Sequence, residues 1–180
     1  MGKSGAAGFT LLEVGLAISI GLLASASMLA VYLHVKDDAG DAIMRQRINS
    51  LKSIVETLYS AQGSCPPISD VRSYWKAKRP NDYLTSPWGG AIYDPLNENG
   101  IGGGDFKPSQ NPQGLKYGTE GNMTSGALYY YRLVDSNGDP SALLTSSMWD
   151  QTLHAMVPIT AYGLAGLKSD IKYYMVTSGR

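Results

Sequence analysis

Hydrophobic and polar positions divide the chain into three regimes. From Phe9 to Val35 the sequence reads FTLLEVGLAISIGLLASASMLAVYLHV, apolar and small residues without period, and its one formally charged side chain is Glu13. Val14 to Leu33 is a run of 20 residues that carries no charge. At ~1.5 Å per residue such a run crosses a hydrocarbon core of ~30 Å. It exceeds the ~7–15-residue apolar core of a secretory signal, and no small-residue cleavage site follows it. The segment is therefore expected to stay with the mature protein, in a bilayer or another apolar environment.

Asp37-Asp38-Ala39-Gly40-Asp41 ends the apolar phase. From Ala42 to Gln62, Met44, Ile48, Leu51, Val55 and Leu58 recur at spacings of three and four, with Arg45, Arg47, Asn49, Lys52 and Glu56 between them. That spacing predicts an amphipathic helix with one face for a core. Gly63 and then Pro66-Pro67 supply the stop. No proline precedes Pro66, so one uninterrupted helix from Phe9 to Gln62 is allowed, with Gly15, Gly21 and Gly40 as its weak points.

Beyond the helix the grammar is that of strands and turns. Ser64 to Leu84 reads as a connector, and Pro95 to Ser125, with Gly102-Gly103-Gly104, as a surface loop. Ala127 to Val134, Leu153 to Ile159 and Ile171 to Thr177 are predicted strands, rich in β-branched and aromatic residues. Pro158 marks the second as an edge or a strand end. Asp135-Ser136-Asn137-Gly138-Asp139-Pro140 is a turn. Ser86-Pro87-Trp88-Gly89 brackets a tight turn whose tryptophan is large enough to anchor it on the helix.

Composition narrows the chemistry. The 180 residues carry equal numbers of acidic and basic side chains, 15 of each, which gives no basic surplus for nucleic-acid binding. The single cysteine, Cys65, allows no internal disulfide and is expected to be a buried thiol. His34 and His154 are too few for a histidine-rich metal centre, and His154 lacks the sequence frame of a catalytic base. The glycine run lacks the frame of a phosphate loop. Asp135, Asn137 and Asp139 resemble the start of a calcium loop. The glycine falls at Gly138 and no Glu closes the frame, so a turn is the expected role and no cofactor is expected. Trp75, Trp88, Trp149 and the tyrosines are expected in core and subunit packing.

Gly8-Phe9-Thr10-Leu11-Leu12-Glu13-Val14 resembles the processing signature of type IV prepilins and type II secretion pseudopilins. The resemblance is firm over roughly Lys3 to Gln62. Pro87-Trp88-Gly89 is similar to an element that leads into the sheet of pseudopilins and some pilins. The processing-signature resemblance implies a basic leader, residues 1–8, cut between Gly8 and Phe9 by a prepilin peptidase, and N-methylation of Phe9. It further implies a hydrophobic helix at 9–36, held in the inner membrane before assembly and in a filament core after it, and a globular head at 37–180. The implied fold is α+β, the type IV pilin fold, with the long helix packed against an antiparallel sheet.

The implied function is structural rather than enzymatic: a homo-oligomeric helical filament raised by a pilus assembly platform, with the Phe9 amine of one subunit paired to Glu13 of a neighbour. The expected filament is a surface type IV pilus for adhesion, motility or DNA uptake, and the alternative is the periplasmic pseudopilus of a type II secretion system. A membrane-anchored binding or enzymatic domain, with the helix as a tether, is the rival outside the family.

Overall fold

The computed structural model describes residues 10–78, 85–89, 101–115, 125–168 and 173–179. The expected leader lies outside the described residues, as do Gly8 and Phe9. The elements are helices α1 (Leu11–Gln62) and α2 (Ile68–Lys78), then strands β1 (Ile101–Phe106), β2 (Leu128–Leu133), β3 (Thr145–Asp150), β4 (Ala155–Leu167) and β5 (Tyr173–Gly179). Two compact units divide within α1, at Ala39 and Gly40. The chain thus has a long N-terminal apolar helix and a five-stranded sheet, an α+β architecture.

In the head, α1 buries Gly40, Met44, Ile48, Leu51, Ile54 and Val55, the stripe that a 3.6-residue period puts on one face. Leu58 packs at its edge, partly buried. The helix ends at Gly63, whose φ of 74° and N–H···O bond to Tyr59 O (2.8 Å) form a left-handed cap. The expected connector beyond it holds α2. Only two of its residues, Val71 and Trp75, are buried. One i, i+4 pair is too short a pattern to announce a helix, and packing on the core decides it.

The sheet corrects the all-antiparallel expectation. β2–β4, β3–β4 and β4–β5 are antiparallel, but β1 runs parallel to β2, Ile101 opposite Leu128 and Phe106 opposite Leu133. β1 also occupies part of the expected loop, and its glycines have a packing reason. A Cβ on Gly102 would lie 2.4 Å from the Tyr129 ring, and one on Gly103, where φ is 109°, would lie 2.0 Å from Tyr130 O. A backbone pressed this close to its neighbour admits only glycine.

β2 alternates between two cores. Leu128 and Tyr130 face α1, α2 and Ile101, whereas Tyr129, Tyr131 and Leu133 face Phe106, Met148 and Ile159. Tyr129 and Tyr131 stack with ring centroids 6.3 Å apart. The second core comes from a break in β4. Its first half pairs with β3 and its second half lies between β2 and β5. At the break Ala161 adopts φ 63° and the register with β5 shifts. Ile159 and Met148 thereby meet Gly163, where a Cβ would lie 2.8 and 2.4 Å from them. β4 does not end at Ile159 as expected. It passes Pro158 in the half where β3 is its recorded partner, and continues to Leu167. β3, rich in serine and threonine, was not foreseen.

Polar ties join the layers. Tyr162 Oη donates to Glu56 Oε1 (2.5 Å), and Tyr130 Oη donates to Pro66 O (2.7 Å), with burial pushing the Tyr130 phenol well above its ordinary range. Arg132 grips Asp105 through two bonds of 2.8 and 2.6 Å. Trp88 covers Gly40, with Lys168 Nζ 5.4 Å from its ring centroid and 3.0 Å from Asp41 Oδ1. Asp150, 4% exposed, accepts N–H bonds from Thr152, Leu153 and Val176, so one carboxylate holds the β3–β4 turn and β5 together.

Asp150→Ala should leave three backbone donors without this acceptor and lower head stability by about 1–3 kcal/mol, read from chemical denaturation. Gly40→Ala would set a Cβ 2.3 Å from Trp88 Nε1. It should cost about 1–3 kcal/mol by overpacking, whereas Gly15→Ala, with nothing within 4 Å, should not destabilise.

Candidate functional site: the apolar half of the long helix

The first turn of α1 is built by Thr10 and Glu13. Thr10 precedes the helix; its carbonyl accepts from Val14 N (3.1 Å) and its hydroxyl accepts from Glu13 N (3.3 Å). In return Glu13 Oε2 accepts from Thr10 N (2.8 Å) and from Thr10 Oγ1 (2.9 Å). This reciprocal pair is a capping box. It satisfies orphan donors of the first turn and sets a carboxylate at the positive end of the helix dipole. The sequence signal was present, Thr-x-x-Glu before an apolar run, and Thr10 was the functional residue that the pattern reading passed over.

Around and beyond Glu13 the side chains meet no core among the described residues. Leu12, Leu16, Leu22, Leu23, Met28 and Val31 are each more than 60% exposed. Polar groups on this stretch are answered within the helix: Ser19, Ser25 and Ser27 donate to the carbonyls of Gly15, Gly21 and Leu23 at 2.8–2.9 Å. Hydroxyls bonded back in this way need no water, which suits an apolar surrounding. Gly15 and Gly21, expected weak points, lie within continuous helix. His34 and Asp38, 3.5 Å apart and well exposed, mark the return to polar surface. By length and composition α1 can cross a membrane, and none of its most apolar window is buried.

The other described candidates belong to the head. Asp135, Asn137 and Asp139 form a turn, with Gly138 at φ 96° and its N–H bonded to Asp135 O (3.2 Å). Asp135 Oδ1 accepts the backbone N–H of Asn137 (2.8 Å) and of Asp139 (2.9 Å). Those bonds, led by the one from Asp139, hold the Asp135 carboxyl below the usual aspartate range. Lys107 Nζ donates to Ser136 O (3.1 Å) on the same turn. Among the described residues no group of three His, Cys, Asp or Glu side chains could hold a metal ion.

His154 is not a strand residue as expected. It is exposed at the end of the β3–β4 turn, with φ 49°. Cys65 is a buried thiol, 2% exposed, with Sγ 3.7 Å from Ala161 O. Of the tryptophans, Trp75 is fully in the core, while Trp149 donates to Gln151 Oε1 (3.1 Å) from a half-buried position. Comparison with protein families, with curated proteins and with solved structures finds no match to the chain.

Thr10→Val removes the hydroxyl but keeps the shape, and should destabilise the first turn by about 0.5–2 kcal/mol. Amide exchange at Leu12 and Glu13 in detergent micelles should accelerate while the head's amides stay unchanged. At the turn, millimolar calcium should not raise the melting temperature of the protein. The Asp135 carboxyl should titrate below a reference aspartate in a carbon-detected pH series. Because its folded value is depressed, the stability it lends is present at neutral pH and fades as pH falls through that lowered value.

Proposed function

We propose that this chain is a type IV pilin-like subunit, cut between Gly8 and Phe9 by a prepilin peptidase and polymerised through α1 into a surface pilus. The observation that carries this reading is an uncovered apolar helix with a single carboxylate, Glu13, in its first turn. Before assembly the helix rests in the inner membrane, and an assembly platform then transfers subunits into the filament. Inside the filament the apolar side chains exchange lipid for other helices, so their burial is kept throughout.

Glu13 gives that exchange its register. Cleavage creates an ammonium at Phe9, which the peptidase system then methylates. An ammonium or a carboxylate entering an apolar core alone is costly, and each favours its charged form when the other is beside it. Thr10 supplies two hydrogen bonds to Oε2, and a carboxylate has about four acceptor sites, so capacity remains for the ammonium of a neighbouring subunit. An axial slip would bury both charges unpaired, so the pair acts as a register device more than as net stabilisation.

A second reading, a pseudopilin of a type II secretion system forming a short periplasmic filament, is favoured by the Pro87-Trp88-Gly89 turn. Gly89 N donates to Ser86 O (3.0 Å) there, and Trp88 packs over Gly40. Electron microscopy of sheared surface material separates the two, since a pseudopilus leaves the cell surface bare.

N-terminal sequencing and intact mass of the protein from its native membrane test both readings against a tethered enzymatic or binding domain. A mature chain beginning at N-methylated Phe9 is expected, and an intact Met1–Gly8 leader overturns filament assembly. Glu13→Val should leave the precursor made and inserted but sharply lower its incorporation into filaments. Wild-type incorporation would remove the proposed pairing.

A further inference from the structure

Polar side chains face a depression between the two helices of the head. On α1, Ser50, Ser53 and Thr57 recur at spacings of three and four, which puts three hydroxyls on one face. On α2, Tyr74 and Lys78 are an i, i+4 pair, with Lys78 Nζ 5.5 Å from the Tyr74 ring centroid. These five side chains, with the buried Ile54, line a space of about 310 Å³. That is the small end of the ~300–1,000 Å³ range of ligand sites, room for one ring rather than a chain.

The bonding capacity of the lining is partly unspent. Thr57 Oγ1 donates its proton to Ser53 O (2.7 Å) and keeps its lone pairs, and Ser50 is also engaged within the chain. The Ser53 hydroxyl and Tyr74 Oη have no hydrogen-bond partner among the described residues, and Lys78 has no ion-pair partner among them. No carboxylate among the described residues lines the space. Hydroxyls both donate and accept, whereas the ammonium only donates. One positive charge among hydroxyls therefore suits a ligand with one negative charge and several hydroxyls of its own. An apolar ligand would leave the hydroxyls unpaired, and a phosphate dianion would meet a single point charge in place of a guanidinium fork or a nest of backbone N–H groups. Lys78 lies over the tyrosine ring, so recognition here runs through hydroxyls and charge rather than through stacking.

We propose that this depression binds a single acidic sugar residue, a hexuronate. Its carboxylate meets Lys78 Nζ, and its ring hydroxyls exchange hydrogen bonds with Ser53, Thr57 and Tyr74. Every residue involved belongs to the head, so the site goes beyond the filament reading and stands whether or not the chain polymerises.

The test titrates the full-length chain in detergent micelles with galacturonate and with galactose, which lacks the carboxylate, and follows amide and tyrosine-ring resonances. Galacturonate should shift Ser53, Thr57, Tyr74 and Lys78 saturably in the millimolar range. Galactose should bind about tenfold more weakly, the loss of one hydrogen bond to a charged group. Lys78→Met keeps the apolar stem and should bind both sugars alike, with an unchanged melting temperature. Tyr74→Phe keeps the ring and should weaken both sugars about threefold or more, the loss of one neutral hydrogen bond. The absence of saturable shifts at these residues overturns the site, and so does a wild type that binds the two sugars equally. A Lys78→Met variant that still prefers galacturonate overturns the assigned carboxylate contact. Inorganic phosphate that binds at the same residues as tightly as galacturonate overturns the sugar assignment.

Discussion

A helix with apolar side chains around its whole circumference has no face that water can solvate well, and that constraint governs the first half of α1. Among the described residues nothing covers Leu12 to Val31, so the segment needs an apolar surrounding. Its polar atoms are arranged accordingly. The serines bond to their own helix, and the only charge sits in the first turn, where the dipole and Thr10 stabilise it. Within one continuous helix the next half obeys another rule, with a single buried stripe and a polar remainder.

The head turns that stripe into a scaffold by using both faces of its sheet. The inner face packs on α1 and α2. The outer face receives the doubled-back β3–β4 pair, which gives the small domain a second core without a second helix layer. The break at Ala161 makes this possible, and Asp150 fastens the folded-over layer to β5. Where large side chains press on the backbone, glycine stands: Gly40 under Trp88, Gly102 under Tyr129, and Gly166 against Met44, whose Sδ would lie 2.6 Å from a Cβ there. A domain with no internal disulfide thus relies on close packing and on buried polar ties between layers.

Much of the site was legible along the chain, since a charge-free run, a single acid and a capping signature are local patterns. The amphipathic stripe was legible too, because Met44, Ile48, Leu51 and Val55 obey a period that needs no partner to be seen. α2 was not, having only Val71 and Trp75 to announce it. β1 was hidden by its glycines, which weaken a strand by propensity and are required here by the rings and carbonyls of β2. Pro158, expected at an edge or a strand end, lies where β4 pairs with β3 on one side, and the strand runs on through it to Leu167.

The sequence by itself determined which segment must leave water, where the helix starts and stops, and which of its faces seeks a core. Those properties depend on residues within a few turns of one another. Only the tertiary structure decided that β1 runs parallel to β2, that β4 folds back at Ala161, and that Asp150 and Trp88 tie distant segments together. Each of these depends on contacts between residues far apart in the chain, where the gain from packing outweighs what any local stretch prefers.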